Sequence, residues 1–196
     1  MASGVAFGGG GLLVSASADE TARVWDLGAG GGPALAAVLR HHHAVRAVAV
    51  SPDGALVATG CYDKTARLWD AASGAALGVL SCGARVESVA FGPGGTRLAT
   101  GAWFGRASLW DTRAGREVLR CSHDGFVEAV ALSPDGSLLA VAGLSRSVAL
   151  LDVATGAKVA EGAHGKTVRD LAFSPAARLL ASVGDDRTAR LWLVDP

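Results

Sequence analysis

Apolar and polar positions alternate from Val45 to Val50, and the alternation stops at Ser51-Pro52-Asp53-Gly54, a turn sequence. Leu56-Val57-Ala58-Thr59 reads as a second short strand, Tyr62-Asp63-Lys64 as a tight turn, and Ala66-Arg67-Leu68-Trp69 as a third strand. Ala71-Ala72-Ser73-Gly74 then turns the chain into a fourth, Ala75 to Leu80. The 3.6-residue period of an amphipathic helix is absent. Four short strands in about 40 residues predict one twisted antiparallel sheet, which cannot bury both of its apolar faces alone and needs a like neighbour on each side.

The neighbours are in the chain. Prolines at 52, 93, 134 and 175 are spaced by 41, as are Trp69, Trp110, Leu151 and Trp192 and the set His41, Cys82, His123 and His164. Three markers sharing one period over four units define a repeat. One more unit precedes them: Arg23-Val24-Trp25-Asp26 matches Arg67-Leu68-Trp69-Asp70 at a spacing of 44. The three extra residues fall in the loop-like stretch Gly28-Ala29-Gly30-Gly31-Gly32-Pro33, where an insertion disturbs no pairing. Five repeats result, at approximately 1–33 (partial), 34–74, 75–115, 116–156 and 157–196.

The period and the dipeptides Trp25-Asp26, Trp69-Asp70 and Trp110-Asp111 closing the third strand resemble the WD-repeat (tryptophan-aspartate repeat) family, over essentially the whole chain. Leu151-Asp152 and Trp192-Leu193 are partial departures. The resemblance implies an all-β propeller of about five four-stranded blades. Closed rings of this family usually carry seven blades, which at this period would need about 290 residues. The expectation is therefore a partial or open ring, with a piece of a longer protein ranked ahead of a tight five-blade ring or an arc completed by another chain. The fifth unit is expected to lack its fourth strand.

Composition narrows the function. With 18 Lys plus Arg against 18 Asp plus Glu, no global charge draws the chain to nucleic acid or to an anionic membrane. Three cysteines, Cys61, Cys82 and Cys121, without paired spacing argue against a disulfide framework and suit a reducing compartment. No stretch is apolar enough for a membrane helix, and Met1-Ala2-Ser3-Gly4 lacks the basic start of a signal peptide. The expected location is intracellular, cytoplasmic or nuclear.

His41, Thr59, Asp63 and Trp69 recur as His164, Ser182, Asp186 and Trp192. Imidazole, hydroxyl and carboxylate at fixed spacing invite a nucleophile reading. A catalytic set would occur once, however, and this one occurs twice at the repeat spacing. The family resemblance implies a structural chain instead: indole N–H to hydroxyl, hydroxyl to imidazole, imidazole to carboxylate. No catalytic residue is expected. The third unit breaks the set with Cys82, Thr100, Phe104 and Trp110, and the fourth with His123, Val141, Ser145 and Leu151. His123, without its usual partners, is expected near water or on a backbone acceptor. The run His41-His42-His43 has no Cys or carboxylate beside it in sequence, so neither metal nor cofactor is expected.

The resemblance places partner contacts at the narrow face, at the start of the innermost strands and just before the turn Asp. In this register those positions are Arg46, Glu87, Glu128 and Arg169, then Ala18, Tyr62, Trp103, Leu144 and Asp185, with Phe104 beside Trp103 and Phe126 near Glu128. Aromatic residues with Arg are typical of interface hot spots. An equal alternative has Trp103 and Phe104 folding down into the space left by the missing turn Asp. The expected function is a non-catalytic protein–protein interaction scaffold binding proteins or peptides, with no small-molecule substrate. The alternatives are a recognition module for a modified peptide or a nucleic acid, nucleic acid not being the expected partner, and a sensor segment of a multidomain signalling protein.

Overall fold

A computed structural model describes residues 2–28, 32–175 and 179–194, so positions 29–31 of the inserted loop lie outside the described residues. The first blade is β1 (Ala2–Gly8), β2 (Leu12–Ser17), β3 (Thr21–Asp26) and β4 (Ala34–Arg40). The second is β5 (Val45–Val50), β6 (Leu56–Cys61), β7 (Thr65–Asp70) and β8 (Ala76–Ser81). The third is β9 (Val86–Phe91), β10 (Arg97–Ala102), β11 (Arg106–Asp111) and β12 (Arg116–Ser122). The fourth is β13 (Val127–Leu132), β14 (Leu138–Gly143), β15 (Ser147–Asp152) and β16 (Lys158–Ala163). The fifth has three strands among the described residues, β17 (Val168–Phe173), β18 (Leu179–Gly184) and β19 (Ala189–Leu193). Each blade is an antiparallel meander, as short connections between successive strands require. No helix among the described residues is long and apolar enough to cross a membrane.

The turns explain themselves locally. Ser51 Oγ lies 2.5 Å from Asp53 Oδ1 and accepts the Leu56 N–H at 2.9 Å, while Gly54 takes φ +74°. The turn thus needs a hydroxyl, a short carboxylate and a residue free in the left-handed region. Ser133, Asp135 and Gly136 repeat it in the fourth blade.

The apolar side chains lie between blades rather than at one centre. Val14, Val24, Leu39, Val45, Val57 and Trp69 form the layer between blades one and two. Leu68, Leu80, Val86, Leu98 and Trp110 form the next. Leu109, Val127, Leu139 and Leu151 follow, and then Val148, Leu150, Val168 and Leu180. Inner strands pack in the order β1, β5, β9, β13, β17, with no comparable contact from β17 back to β1. Accordingly Phe7 on β1 is 73% exposed and Leu193 on β19 74% exposed, whereas Val89 and Val130, which face a preceding blade, are buried. The arrangement is a partial propeller with two uncovered end faces.

Candidate functional site

Every inner strand begins with a β-bulge. The register slips between Ala2 and Gly4, Val45 and Ala47, Val127 and Ala129, and Val168 and Asp170, and in the third blade Val86 and Ser88 pair with consecutive residues of β10. The skipped residues are Ser3, Arg46, Glu87, Glu128 and Arg169. A bulge re-aims the extra side chain and tightens the local twist, which places these five side chains along one end of the arc.

They pair across blades. Arg46 Nε donates to Glu87 Oε2 at 2.9 Å, and its Nη1 reaches the Ser3 carbonyl at 3.1 Å. Arg169 contacts Glu128 Oε2 at 3.2 Å and Asp185 Oδ2 at 2.7 Å. Asp185, held below the usual carboxylate range by Arg169, is exposed. Between Glu87 and Glu128 no cation intervenes in this way. Trp103 Nε1 donates to Glu87 Oε1 at 2.6 Å, and the Trp103 ring stacks on Phe126 of the next blade at 4.6 Å and 7°.

Around that stack the aromatic residues gather. Tyr62 lies 6.1 Å from Trp103, and the Arg85 guanidinium sits 4.6 Å from the Trp103 centroid and 5.2 Å from that of Tyr62. Phe104 meets both Trp103 and Phe126 edge-on, at 6.4 and 6.0 Å. Trp103 is half-buried and tied to Glu87, whereas Phe104 stands 75% exposed at φ +61°. In the other four blades the residue at this turn position is not left-handed: Glu20, Lys64, Arg146 and Arg187, one position further on, are. A bulky residue with φ above zero is strained. Arg85 did not stand out in the sequence, because it belongs to neither register set. Its role is visible only once blades two and three are side by side.

The polar sets differ from blade to blade. In the fifth, Trp192 Nε1 donates to Ser182 Oγ at 2.8 Å, the Ser182 hydroxyl donates to His164 Nε2 at 2.7 Å, and His164 Nδ1–H donates to Asp186 Oδ2 at 3.0 Å. The carboxylate accepts only, so the chain of donors runs in one direction. Asp186 lies well below the usual carboxylate range, chiefly because the Gly165 N–H and the Thr188 hydroxyl also donate to it.

The second blade departs from the continuous network read from His41, Thr59, Asp63 and Trp69. Trp69 Nε1 donates to Thr59 Oγ1 at 2.9 Å, but His41 Nδ1 is 4.0 Å from Asp63 Oδ2, and neither imidazole nitrogen of this buried ring has a hydrogen-bond partner among the described residues. The reason is Cys61. Its register equivalent in the fifth blade is Gly184, where a Cβ would come within 3.0 Å of His164 Nδ1. In the second blade that side chain exists, and its thiol donates to the His43 carbonyl at 3.1 Å. Burial pushes the His41 pKa down to about 4 and the Cys61 thiol up to about 11. The run His41-His42-His43 offered no ligand neighbour in sequence, but the fold brings Cys61 and Asp63 to His41, all three donor atoms within 4.8 Å of one another.

The third and fourth blades differ again. Trp110 Nε1 donates to Thr100 Oγ1 at 2.9 Å, with Cys82 Sγ a weak 3.9 Å from the same hydroxyl. His123, expected near water or on a backbone acceptor, lines an open cleft and is hydrogen-bonded through Nε2 to the Ser145 hydroxyl at 2.7 Å, Ser145 standing where blades one, two and five carry the turn Asp. Beside it a cleft of about 440 Å³ opens between blades three and four, lined by Cys121, His123, Val141, Leu151, Lys158 and Glu161. Leu151, in place of an indole, leaves that room.

Burial also lowers the His123 pKa. A base whose folded pKa is depressed takes up its proton in the unfolded chain first, so its contribution to stability is lost as pH falls below about 6.5. His123→Gln is expected to lose less unfolding free energy than the wild type between pH 7 and pH 5, read by denaturant unfolding at both.

A comparison with known families matches WD40: WD domain, G-beta repeat, at residues 3–26, 34–70, 116–152 and 158–192. A comparison with curated proteins found no match. The unmatched interval holds most of the third blade, whose marker positions carry Cys82 and Phe104, yet that blade has the same four strands as its neighbours and the same indole–hydroxyl bond as the second blade. Repeats of this family typically mediate protein interactions as non-catalytic scaffolds. With matches over more than half of its length and a succession of four-stranded antiparallel blades, the chain belongs to the WD40 repeat family.

Proposed function

We propose that the chain is a non-catalytic protein–protein interaction scaffold, and that its contact face is the bulged end of blades two to four. Tyr62, Trp103, Phe104 and Phe126 form the apolar centre; Arg46, Glu87, Glu128, Arg169 and Asp185 form a charged rim. Apolar centre with polar rim is the anatomy of a protein interface. One observation carries the reading: Phe104 is held left-handed and in water on top of a stacked aromatic pair. An exposed large apolar side chain held in a strained conformation, with only two edge-on ring contacts within the chain, points to use. The ion pairs that engage Arg46 and Arg169 weigh against recognition of phosphate, in a modified peptide or in nucleic acid.

Phe104→Asn separates binding from stability, because Asn tolerates the left-handed region. Its unfolding free energy is expected to be unchanged or raised by up to about 1 kcal/mol, since a left-handed non-glycine residue costs roughly that much. Affinity capture should recover partners with the wild type and with Leu77→Asn, an exposed control on β8, and lose them with Phe104→Asn. Identical partner sets for all three would refute the proposed face.

A further inference from the structure

We propose that His41 Nδ1, Cys61 Sγ and Asp63 Oδ2 form a binding site for a borderline-soft divalent cation, Zn²⁺ above all, inside the second blade. The three donors belong to three separate stretches: the connection before β5, the end of β6 and the turn into β7. The fold places them within 4.8 Å of one another, with the His41–Asp63 pair at 4.0 Å. Imidazole, thiolate and carboxylate bind Zn²⁺ at about 2.0–2.3 Å, so around one ion they stand roughly 3.5 Å apart. Closing the set takes shifts of up to about 1 Å, within reach of rotations of the imidazole and carboxylate. Water fills the fourth tetrahedral position.

A second observation is independent of the spacing. The His41 side chain is fully buried, and both of its nitrogens lack a hydrogen-bond partner among the described residues. A buried imidazole in that state costs free energy unless something accepts from it or binds it. The fifth blade shows the alternative outcome of the same design. There, without a side chain at Gly184, the His164 ring closes onto Asp186 and Ser182 and both nitrogens are satisfied. In the second blade Cys61 stands in the gap, parts the imidazole from the carboxylate, and adds the sulfur that suits Zn²⁺. On binding, the thiol releases its proton to solvent and its hydrogen bond to the His43 carbonyl, and the thiolate takes the ion.

The outer contacts of Asp63 are those of a supported ligand. Thr65 donates twice to Oδ1, at 2.6 Å from the hydroxyl and 3.0 Å from the N–H, while Arg67 Nη2 holds Oδ2 at 3.1 Å. Such partners fix the direction of a ligating carboxylate. Trp69 closes the inner side, its ring 5.5 Å from that of His41.

Co²⁺ titration of the purified full chain, stripped with a chelator and kept reduced, tests the site. One equivalent is expected to bind with a thiolate-to-cobalt charge-transfer band in the near ultraviolet, which Zn²⁺ then abolishes. Cys61→Gly, which recreates the residue found at Gly184, should fold and show no band, while Cys82→Ser and Cys121→Ser should keep it. Zn²⁺ should raise the unfolding temperature of the wild type and leave that of Cys61→Gly unmoved. A wild type without the band, or a band and a Zn²⁺ shift that survive Cys61→Gly, would overturn the proposal and leave an internal water, or a closed His41–Asp63 pair, as the state of this site.

Discussion

Replacing Trp110 by Ala is expected to destabilise the chain by about 3–5 kcal/mol, read as a fall of roughly 6–20 °C in unfolding temperature for a chain of this size. The indole is 5% exposed and packs in the layer between blades two and three with Leu68, Leu80, Val86 and Leu98. That layer is what each blade has in place of a core of its own, so the cavity is felt on both sides. The deletion also orphans Thr100 Oγ1, 1% exposed, which accepts the indole N–H.

Coupling between the two residues separates packing from hydrogen bonding. Thr100→Val alone leaves a buried indole N–H without an acceptor, at a cost of about 1–3 kcal/mol. In a Trp110→Leu background the same change should cost little, because no polar group is then left unpaired. The fourth blade already carries this double replacement as Val141 and Leu151, both buried in the layer it shares with the third. A double-mutant cycle on Thr100 and Trp110, followed by thermal unfolding, should show positive coupling of about 1 kcal/mol or more. Additive single effects would mean that the bond contributes nothing beyond the volume of the ring.

The strand plan was legible because each strand reports on itself: alternation, a turn sequence and a 41-residue recurrence are local or periodic. The charged positions Arg46, Glu87, Glu128 and Arg169 were legible as a register set, though the bulge that aims them appears only in the pairing. What escaped lies between repeats or one residue off the register. The Trp103–Phe126 stack joins blades three and four through residues at non-equivalent positions, and Arg85 acts across the preceding seam, between Tyr62 and Trp103. The open network around His41 did have a readable sign. Among the four units at the 41-residue spacing, Cys61, Ala102, Gly143 and Gly184 occupy one register position, and of these only Cys61 carries a side chain beyond Cβ. Its effect depends on how closely imidazole and carboxylate approach, which residue types alone do not state.

Gly101→Val is expected to part blades three and four, with a loss of about 3 kcal/mol, at the upper end for overpacking. A Cβ at Gly101 would lie 2.6 Å from Val127 Cγ1 and 3.0 Å from Val130 Cγ1 on the next inner strand, both buried and without room to retreat. Two further methyl groups turn that contact into a wedge, because interiors at crystal-like density yield little. Gly60 meets Val86 and Val89 in the same way one blade earlier. Along this register position the blades that have a following neighbour carry a small residue, Ala16, Gly60, Gly101 and Ala142, whereas the fifth carries Val183, which is 42% exposed. Val183→Gly should therefore change stability by less than the Gly101 wedge, limited to the backbone entropy cost of about 1 kcal/mol. Denaturant unfolding of the two variants makes the comparison. Equal losses would mean that the position is set by strand propensity within each blade, and that the close approach of blade to blade does not govern the stability of the arc.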